Sequence, residues 1–371
     1  MPADRGDPAL ETLFLPFAEG RLAWPGREPQ PAAVNGADAP IHSAMFLRAR
    51  DGWPLHRQPL PGLVCEQSFK PEADALAQAG FAVNIASPEK TFDLVLILPP
   101  RQRDEARALL ARAVAMTRPG GRVVVSQSND EGARSSEADL ARLTGEIECM
   151  SKNKCRVFWT ASLERLNASL VADWLQLDAV RPIADGRFVS RPGIFAWDRV
   201  DVASALLAEH LPASLSGRAA DLGAGFGYLC AELLTRCPRI TALDVYEAEN
   251  RALELARVNL KSFETRAKLD YRWHDVSIGL RDEYDVIVTN PPFHAQRGID
   301  RPDIGKRFIA VAADSLRPGG RLWLVANRHL PYEAVLSDNF DSVRTVVQAH
   351  GYKVVAAVRS KSKSSSSRGG R

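Results

Sequence analysis

Two apolar runs set the organisation of this chain. Phe92 to Pro100 read FDLVLILPP and Tyr284 to Pro292 read YDVIVTNPP. Each has an aromatic, an aspartate, a β-rich apolar stretch and two prolines. Runs of this kind, closed by proline, predict buried strands. A helical segment follows each, ARALLARAVAM in the first case and GKRFIAVAADSL in the second. RPGGR then leads into a further apolar run, VVV or LWLV. Strand, Pro-Pro turn, helix, Gly-Gly turn, strand is the grammar of a βαβ unit, whose crossover helix joins parallel strands. Its recurrence in the same order predicts two related α/β domains.

The copies differ where chemistry would sit. Asn290 in the second stands where the first has Leu98, and a glycine-rich turn precedes Asn290 but not Leu98. The fold class expected is therefore α/β, with two tandem Rossmann-like domains, the first degenerate and the second active. The division expected is a degenerate domain over 1–160, a connecting segment over 161–190, a catalytic domain over 191–358 and a tail over 359–371. The boundary is placed between the Lys152–Phe158 segment and Arg191-Pro192-Gly193. Ala161 to Leu177 read as a connecting helix, with Leu163, Leu166, Leu170 and Trp174 at helical spacing.

Composition changes this picture little. A chain of 371 residues, 45% hydrophobic and 25% charged, suits two soluble domains. Its strongest apolar run, Leu94 to Leu98, is strand length and far short of a bilayer span. The N-terminus lacks the basic and apolar regions of a signal peptide. Cys65, Cys149, Cys155, Cys230 and Cys237 show no C-x-x-C spacing, which suggests neither a disulfide framework nor a zinc site and fits a cytoplasmic protein. The formal charge of +3 is localised, since Arg359 to Arg371 read RSKSKSSSSRGGR without an acid. Such a tail is expected to be disordered, either touching phosphate non-specifically or serving only solubility.

Candidate chemistry begins at Asp221-Leu222-Gly223-Ala224-Gly225-Phe226-Gly227, which leads into the helical run YLCAELLTRC. Glycines here let the backbone turn sharply and a ligand approach, at the strand-end crevice where open α/β sheets bind ligands. The pattern is G-x-G-x-G, and Tyr228 stands where the dinucleotide fingerprint would place its third glycine. An acid at the strand end disfavours a pyrophosphate and suits a cationic amino-acid moiety, so S-adenosylmethionine (SAM) is favoured over NAD. The next strand, Ile240 to Leu243, is expected to end at Asp244, an acceptor for ribose hydroxyls. Asp275, after a third strand over Leu269 to Trp273, is a candidate acceptor for the adenine amine or a simple cap.

The strand from Tyr284 to Thr289 delivers Asn290-Pro291-Pro292-Phe293 to the same rim. A target nitrogen conjugated to a π-system is a poor nucleophile. The Asn290 amide oxygen and the Pro291 carbonyl can each accept one of its N–H groups, favouring a pyramidal geometry with the lone pair aimed at a methyl group. Neither is a useful base near neutrality, so the gain is orientation and fixed dipoles. The prolines restrict φ, and Phe293 offers a stacking face.

On these residues the C-terminal half resembles the N-methyltransferases with an N-P-P-[FY] motif. The whole chain is similar to bacterial ribosomal RNA guanine-N2 methyltransferases of the RsmC/RlmG type. Arg191-Pro192-Gly193-Ile194-Phe195 with Asp198 and Asp201, DLGAGFG, TNPPFH and VANRHLPYE (Val325 to Glu333) carry the resemblance. It implies a mostly parallel seven-stranded sheet with one antiparallel strand, SAM as donor, guanine N2 as acceptor, and ribosomal RNA or a ribosomal subunit as partner. Ala196, Trp197 and Ala203 depart from its PGxFS-type motif, where Ser, Arg and Gly are expected. His294, Arg328 and His329 would flank the acceptor, as RNA contacts or as ordinary capping and surface groups. Two other readings stay open: methylation of adenine N6 or a protein glutamine amide, and a non-catalytic RNA-binding assembly factor.

Overall fold

The computed structural model describes residues 6–26, 43–86, 90–292 and 302–360. The chain divides into two compact units, Met1–Val180 with Arg191–Gly193, and Arg181–Ser190 with Ile194–Arg371.

The first unit opens with a short helix, α1 (Pro8–Leu13), capped by Asp7, whose carboxylate accepts from the Ala9 and Leu10 N–H groups. Its strands are β1 (Ala44–Leu47), β2 (Leu63–Glu66), β3 (Ala82–Asn84), β4 (Phe92–Ile97), β5 (Thr117–Ser128), β6 (Ile147–Lys152) and β7 (Cys155–Thr160). They form one sheet in the order β3-β2-β1-β4-β5-β7-β6, in which β7 pairs antiparallel with both neighbours. Strands β1 and β4 are central, and their near-continuous apolar composition follows from burial on both faces. Helix α2 (Arg103–Ala115) makes the crossover from β4 to β5.

Helix α3 (Ala168–Leu175) closes this unit and corrects two expectations. The predicted connecting helix is shorter, because Asn167 accepts from Leu170 N–H at 3.2 Å and starts it seven residues late. Leu163 instead exchanges backbone hydrogen bonds with Gly120 and Gly121 at 2.8 and 3.0 Å. Leu163, Val171 and Trp174 join Leu109, Val114 and Phe158 in one core. The segment expected to link the domains therefore belongs to the first unit through Val180. The division between Val180 and Arg181 lies between Lys152–Phe158 and Arg191. Within Lys152–Phe158, Asn153 and Lys154, both at positive φ, form the two-residue turn between β6 and β7.

The second unit starts with a hairpin, β8 (Arg181–Ile183) and β9 (Phe188–Ser190), followed by α4 (Val202–Glu209). Then come β10 (Ser216–Leu222), α5 (Tyr228–Arg236), β11 (Arg239–Glu247), α6 (Asn250–Asn259), β12 (Lys268–Trp273), β13 (Tyr284–Thr289) and α7 (Pro302–Ser315). Finally β14 (Leu316–Asn327), β15 (Ser342–Ala349) and β16 (Tyr352–Val358) complete the sheet. Its order, β12-β11-β10-β13-β14-β16-β15, repeats the first, and β16 is its one antiparallel strand. The expected tandem α/β architecture is thus present in both halves. One core lies between the sheet and α4 to α6, the other between the sheet and α7.

The RPGGR segments are not turns. Each lies inside one long strand, β5 or β14, as a bulge that shifts the register against β4 or β13. A Cβ on Gly121 would sit 2.8 Å from the Asp93 carbonyl, and one on Gly320 would sit 2.9 Å from that of Arg317. The arginine of each motif meets the aspartate of the preceding apolar run. Arg118 donates to both oxygens of Asp93 and Arg317 to both of Asp285, at 3.0 to 3.1 Å. Each aspartate also accepts a backbone N–H at 2.8 Å, from Ser43 or Arg218. These shared residues hold the neighbouring strands together. Among the described residues no helix is long and apolar enough to cross a membrane.

Candidate active site

The glycine turn joins β10 to α5 at the carboxyl end of the second sheet. Gly223 and Ala224 both donate to the Tyr246 carbonyl, at 2.9 and 3.0 Å, which ties the turn to the end of β11. Gly225 (φ +57) has open space where a Cβ would be, so the backbone is bare toward the cleft. Gly227 serves packing instead. At φ +93 it starts α5, and a Cβ there would meet Ala256 and Leu260 at 3.2 to 3.3 Å. The cleft beside this turn is lined by Phe195, Asp201, Ser204, Gly223 to Leu229 in part, and Asn290. The turn and Asn290 thus share one cavity.

Asn290 follows β13 immediately and is half-buried. Its Nδ2 donates to Asp201 Oδ2 at 3.0 Å and to Ser204 Oγ at 2.9 Å. A carboxylate only accepts, so this contact fixes which end of the amide is nitrogen. Asn290 Oδ1 is buried and has no partner among the described residues. An acceptor so held must find a donor beyond these residues or go unsatisfied at a cost. Pro291 is buried and Pro292 exposed; Phe293 and His294 lie outside the described residues. Arg328 and His329 are exposed, and the His329 N–H donates to Asn327 Oδ1 at 3.1 Å.

The acids require two corrections. Asp244 was expected at the end of its strand, yet β11 continues through Val245 and Tyr246 to Glu247. Strand side chains alternate between faces, so Asp244 and Glu247 point to opposite sides of the sheet. Asp244 is buried among Arg218 Nη2 (2.7 Å), Arg272 Nη2 (3.0 Å) and the Tyr284 hydroxyl (2.7 Å), where no ribose reaches it. Glu247 is the acid beside the glycine turn, accepting from Gly225 N–H at 2.7 Å and Glu249 N–H at 2.8 Å. Burial lifts its carboxyl above the ordinary range. The apolar pair Val245 and Tyr246 just beyond Asp244 was the signal for the longer strand.

Asp221 is the second correction. Its carboxylate faces α5, not the cleft, and is fully buried. The Cys230 thiol donates to its Oδ2 at 3.0 Å, while Oδ1 has no partner among the described residues. Burial pushes the Asp221 carboxyl up to about 7. A direct contact with a cationic ligand is therefore not its place. Asp275 caps a short turn, its Oδ1 accepting from Ser277 N–H at 2.8 Å, and does not line the cleft beside Asn290. Two features beside the glycine turn and Asn290 were not assigned from sequence: Glu247, and the pair Asp201 and Ser204 that holds Asn290 across 89 and 86 residues.

Comparison with known proteins follows the same division. Residues 185–356 match the family model "Methyltransferase small domain", and residues 65–177 match "Methyltransferase small domain N-terminal". A protein of Shewanella loihica, "Ribosomal RNA small subunit methyltransferase C", is 30% identical over 297 residues, covering 78% of this chain and 84% of its own. The protein of that name in Pseudomonas aeruginosa is 31% identical, covering 74% and 81%. The solved T. thermophilus 16S rRNA N2 methyltransferase RsmC, in complex with AdoMet and guanosine, superposes with a TM-score of 0.72 at 25% identity, covering 87% of this chain and 90% of that one.

Proposed function

Since the chain belongs to the ribosomal RNA small subunit methyltransferase C family, we propose that it methylates the exocyclic N2 amine of a guanine in small-subunit ribosomal RNA, with SAM as donor. The observation that carries this reading is the Asn290 amide, held by Asp201 and Ser204 beside the cavity of the glycine turn, with Oδ1 lacking a partner among the described residues.

The donor set fits SAM better than a dinucleotide. The Glu247 carboxylate meets the glycine turn, so a pyrophosphate there would face an acid. The same acid suits a ligand that is cationic and carries hydroxyls. Glu247 already accepts two backbone N–H groups, but each oxygen keeps a second lone pair for a ribose hydroxyl. Asp275 would reach the adenine amine from beyond the cleft. When bound, SAM supplies a methyl group on a positively charged sulfur.

The chain's residues then solve the acceptor's problem. The guanine N2 lone pair is delocalised into the ring. Asn290 Oδ1 accepts one N–H of the amine and the Pro291 carbonyl accepts the other, so the lone pair is turned out of the ring plane toward the methyl. Neither oxygen is a base near neutrality, so the N2 proton passes to solvent water only after the nitrogen has taken the methyl and positive charge has developed on it. Orientation of this kind is worth several kcal/mol when geometry is fixed beforehand. The base must be unstacked for N2 to reach Asn290, which favours single-stranded or flipped targets. Phe293 would stack on it. The substrate places the activity in the cytoplasm, and the first domain would add RNA-binding surface and stability.

Nucleoside mass spectrometry of both subunit rRNAs from cells with and without the gene tests this. Loss of N2-methylguanosine from the small-subunit rRNA alone is expected. An unchanged nucleoside profile would overturn the reading, and loss of N6-methyladenosine would transfer the activity to adenine.

A further inference from the structure

Asp201 does two things at once. Its Oδ2 caps α4, accepting from Ser204 N–H at 2.8 Å, and it accepts from Asn290 Nδ2 at 3.0 Å. A capping residue needs only the first contact, and Ser, Thr or Asn would serve as well. The first unit contains a natural control. There α1 packs on β5 and β7 as α4 packs on β14 and β16, and its cap is also an aspartate, Asp7. That half has Leu98 in place of Asn290, and Asp7 turns its second oxygen to Arg50 at 3.0 Å. The cap is retained in both halves, and only the second partner of the acid changes with the chemistry of the rim.

We infer that Asp201 is a positioning residue for methyl transfer: it selects the amide orientation that presents Asn290 Oδ1, not Nδ2, to the incoming amine. Ser204 cannot make this choice alone, because a hydroxyl both donates and accepts. With Nδ2 outward, the amide would meet the substrate N–H groups with a donor, and the lone pair would not be directed. The inference rests on the reading of Asn290 as the acceptor for the amine.

Asp201→Ser separates the two duties, since serine caps a helix but is too short to reach Asn290. In single-turnover assays on small-subunit RNA its rate should fall about 100-fold, the usual cost of a misplaced reacting group. Its affinity for SAM by calorimetry and its thermal midpoint should stay close to wild type. Asp201→Asn, which keeps an oxygen at the Oδ2 position, should restore most of the rate. An independent readout is the side-chain amide resonance pair of Asn290, assigned by its disappearance in Asn290→Ala. It should move toward the position of a free amide in Asp201→Ser and stay in place in Asp201→Asn. A wild-type rate with an unmoved resonance in Asp201→Ser would overturn the proposal. So would a rate loss matched by equal losses in SAM affinity and thermal midpoint, which would make Asp201 a cap only. If Asn290→Ala itself methylates at the wild-type rate, the catalytic reading of Asn290 fails and this inference with it. If that variant is inactive while Asp201→Ser is not, the positioning role alone fails.

Discussion

The two halves of this protein share a sheet and differ at its rim. Both order their strands alike, both bulge the fifth strand at a glycine, and both clasp neighbouring strands with an Asp-Arg pair. At the carboxyl end of the first strand they part. The second half has the glycine turn, with bare backbone at Gly225 and an acid, Glu247, held against it. The first half has Arg48 and Arg50 there, paired with Glu105 and Asp7. Leu98 is buried where Asn290 offers an oxygen with no partner among the described residues. What the halves have in common maintains the fold, and chemistry resides in their departures. The aspartate and arginine that made the repeat visible are strand clasps, not site residues.

The strongest way to break this comparison is at Asn290. Asn290→Ala should lower methyl transfer by about 1000-fold, as removal of a preorganised polar group at a reaction centre does, with SAM affinity within a few-fold. Leu98→Asn, which restores the side chain without the glycine turn, should confer no SAM binding on the first half in calorimetry. Next in size is the contrast between the acids of β11. Asp244→Ala leaves Arg218, Arg272 and the Tyr284 hydroxyl without their shared acceptor, and should cost about 3 kcal/mol in urea unfolding. Glu247→Ala should leave unfolding little changed and weaken SAM binding by about 1.5–3 kcal/mol, the range for hydrogen bonds to a charged group. Equal effects of the two on SAM affinity would contradict the division of roles.

A smaller effect belongs to Asp221. Its folded carboxyl titrates near 7, above the ordinary carboxylate range, so the folded state holds a proton that the unfolded chain has already released. Stability from this group is full below the ordinary range and declines as pH rises through about 7. Asp221→Asn should flatten that decline and raise the urea midpoint above neutrality; an unchanged pH profile would refute the assignment. Smallest of all should be the matched pair Arg118→Ala and Arg317→Ala. Both arginines are partly exposed, so each should cost at most about 1 kcal/mol, and the two should agree if the clasps are equivalent.

Much of this was legible from local pattern. Apolar runs ending in Pro-Pro, helical periodicity and the glycine turn depend on neighbours in the chain, so they identify the tandem α/β units, the cofactor loop and Asn290. Leu98 against Asn290 marked which half carries the chemistry. Other features were decided by residues far apart in sequence. RPGGR reads as a turn but is a bulge, because β4 and β13 set the register across it. Asp244 reads as a strand end, but β12 extends the pairing to Glu247, and the alternation of faces then sends the two acids apart. The direction of the Asn290 amide is invisible in its own tetrapeptide. It is fixed by a carboxylate 89 residues upstream, and only folding brings that acceptor within hydrogen-bond reach.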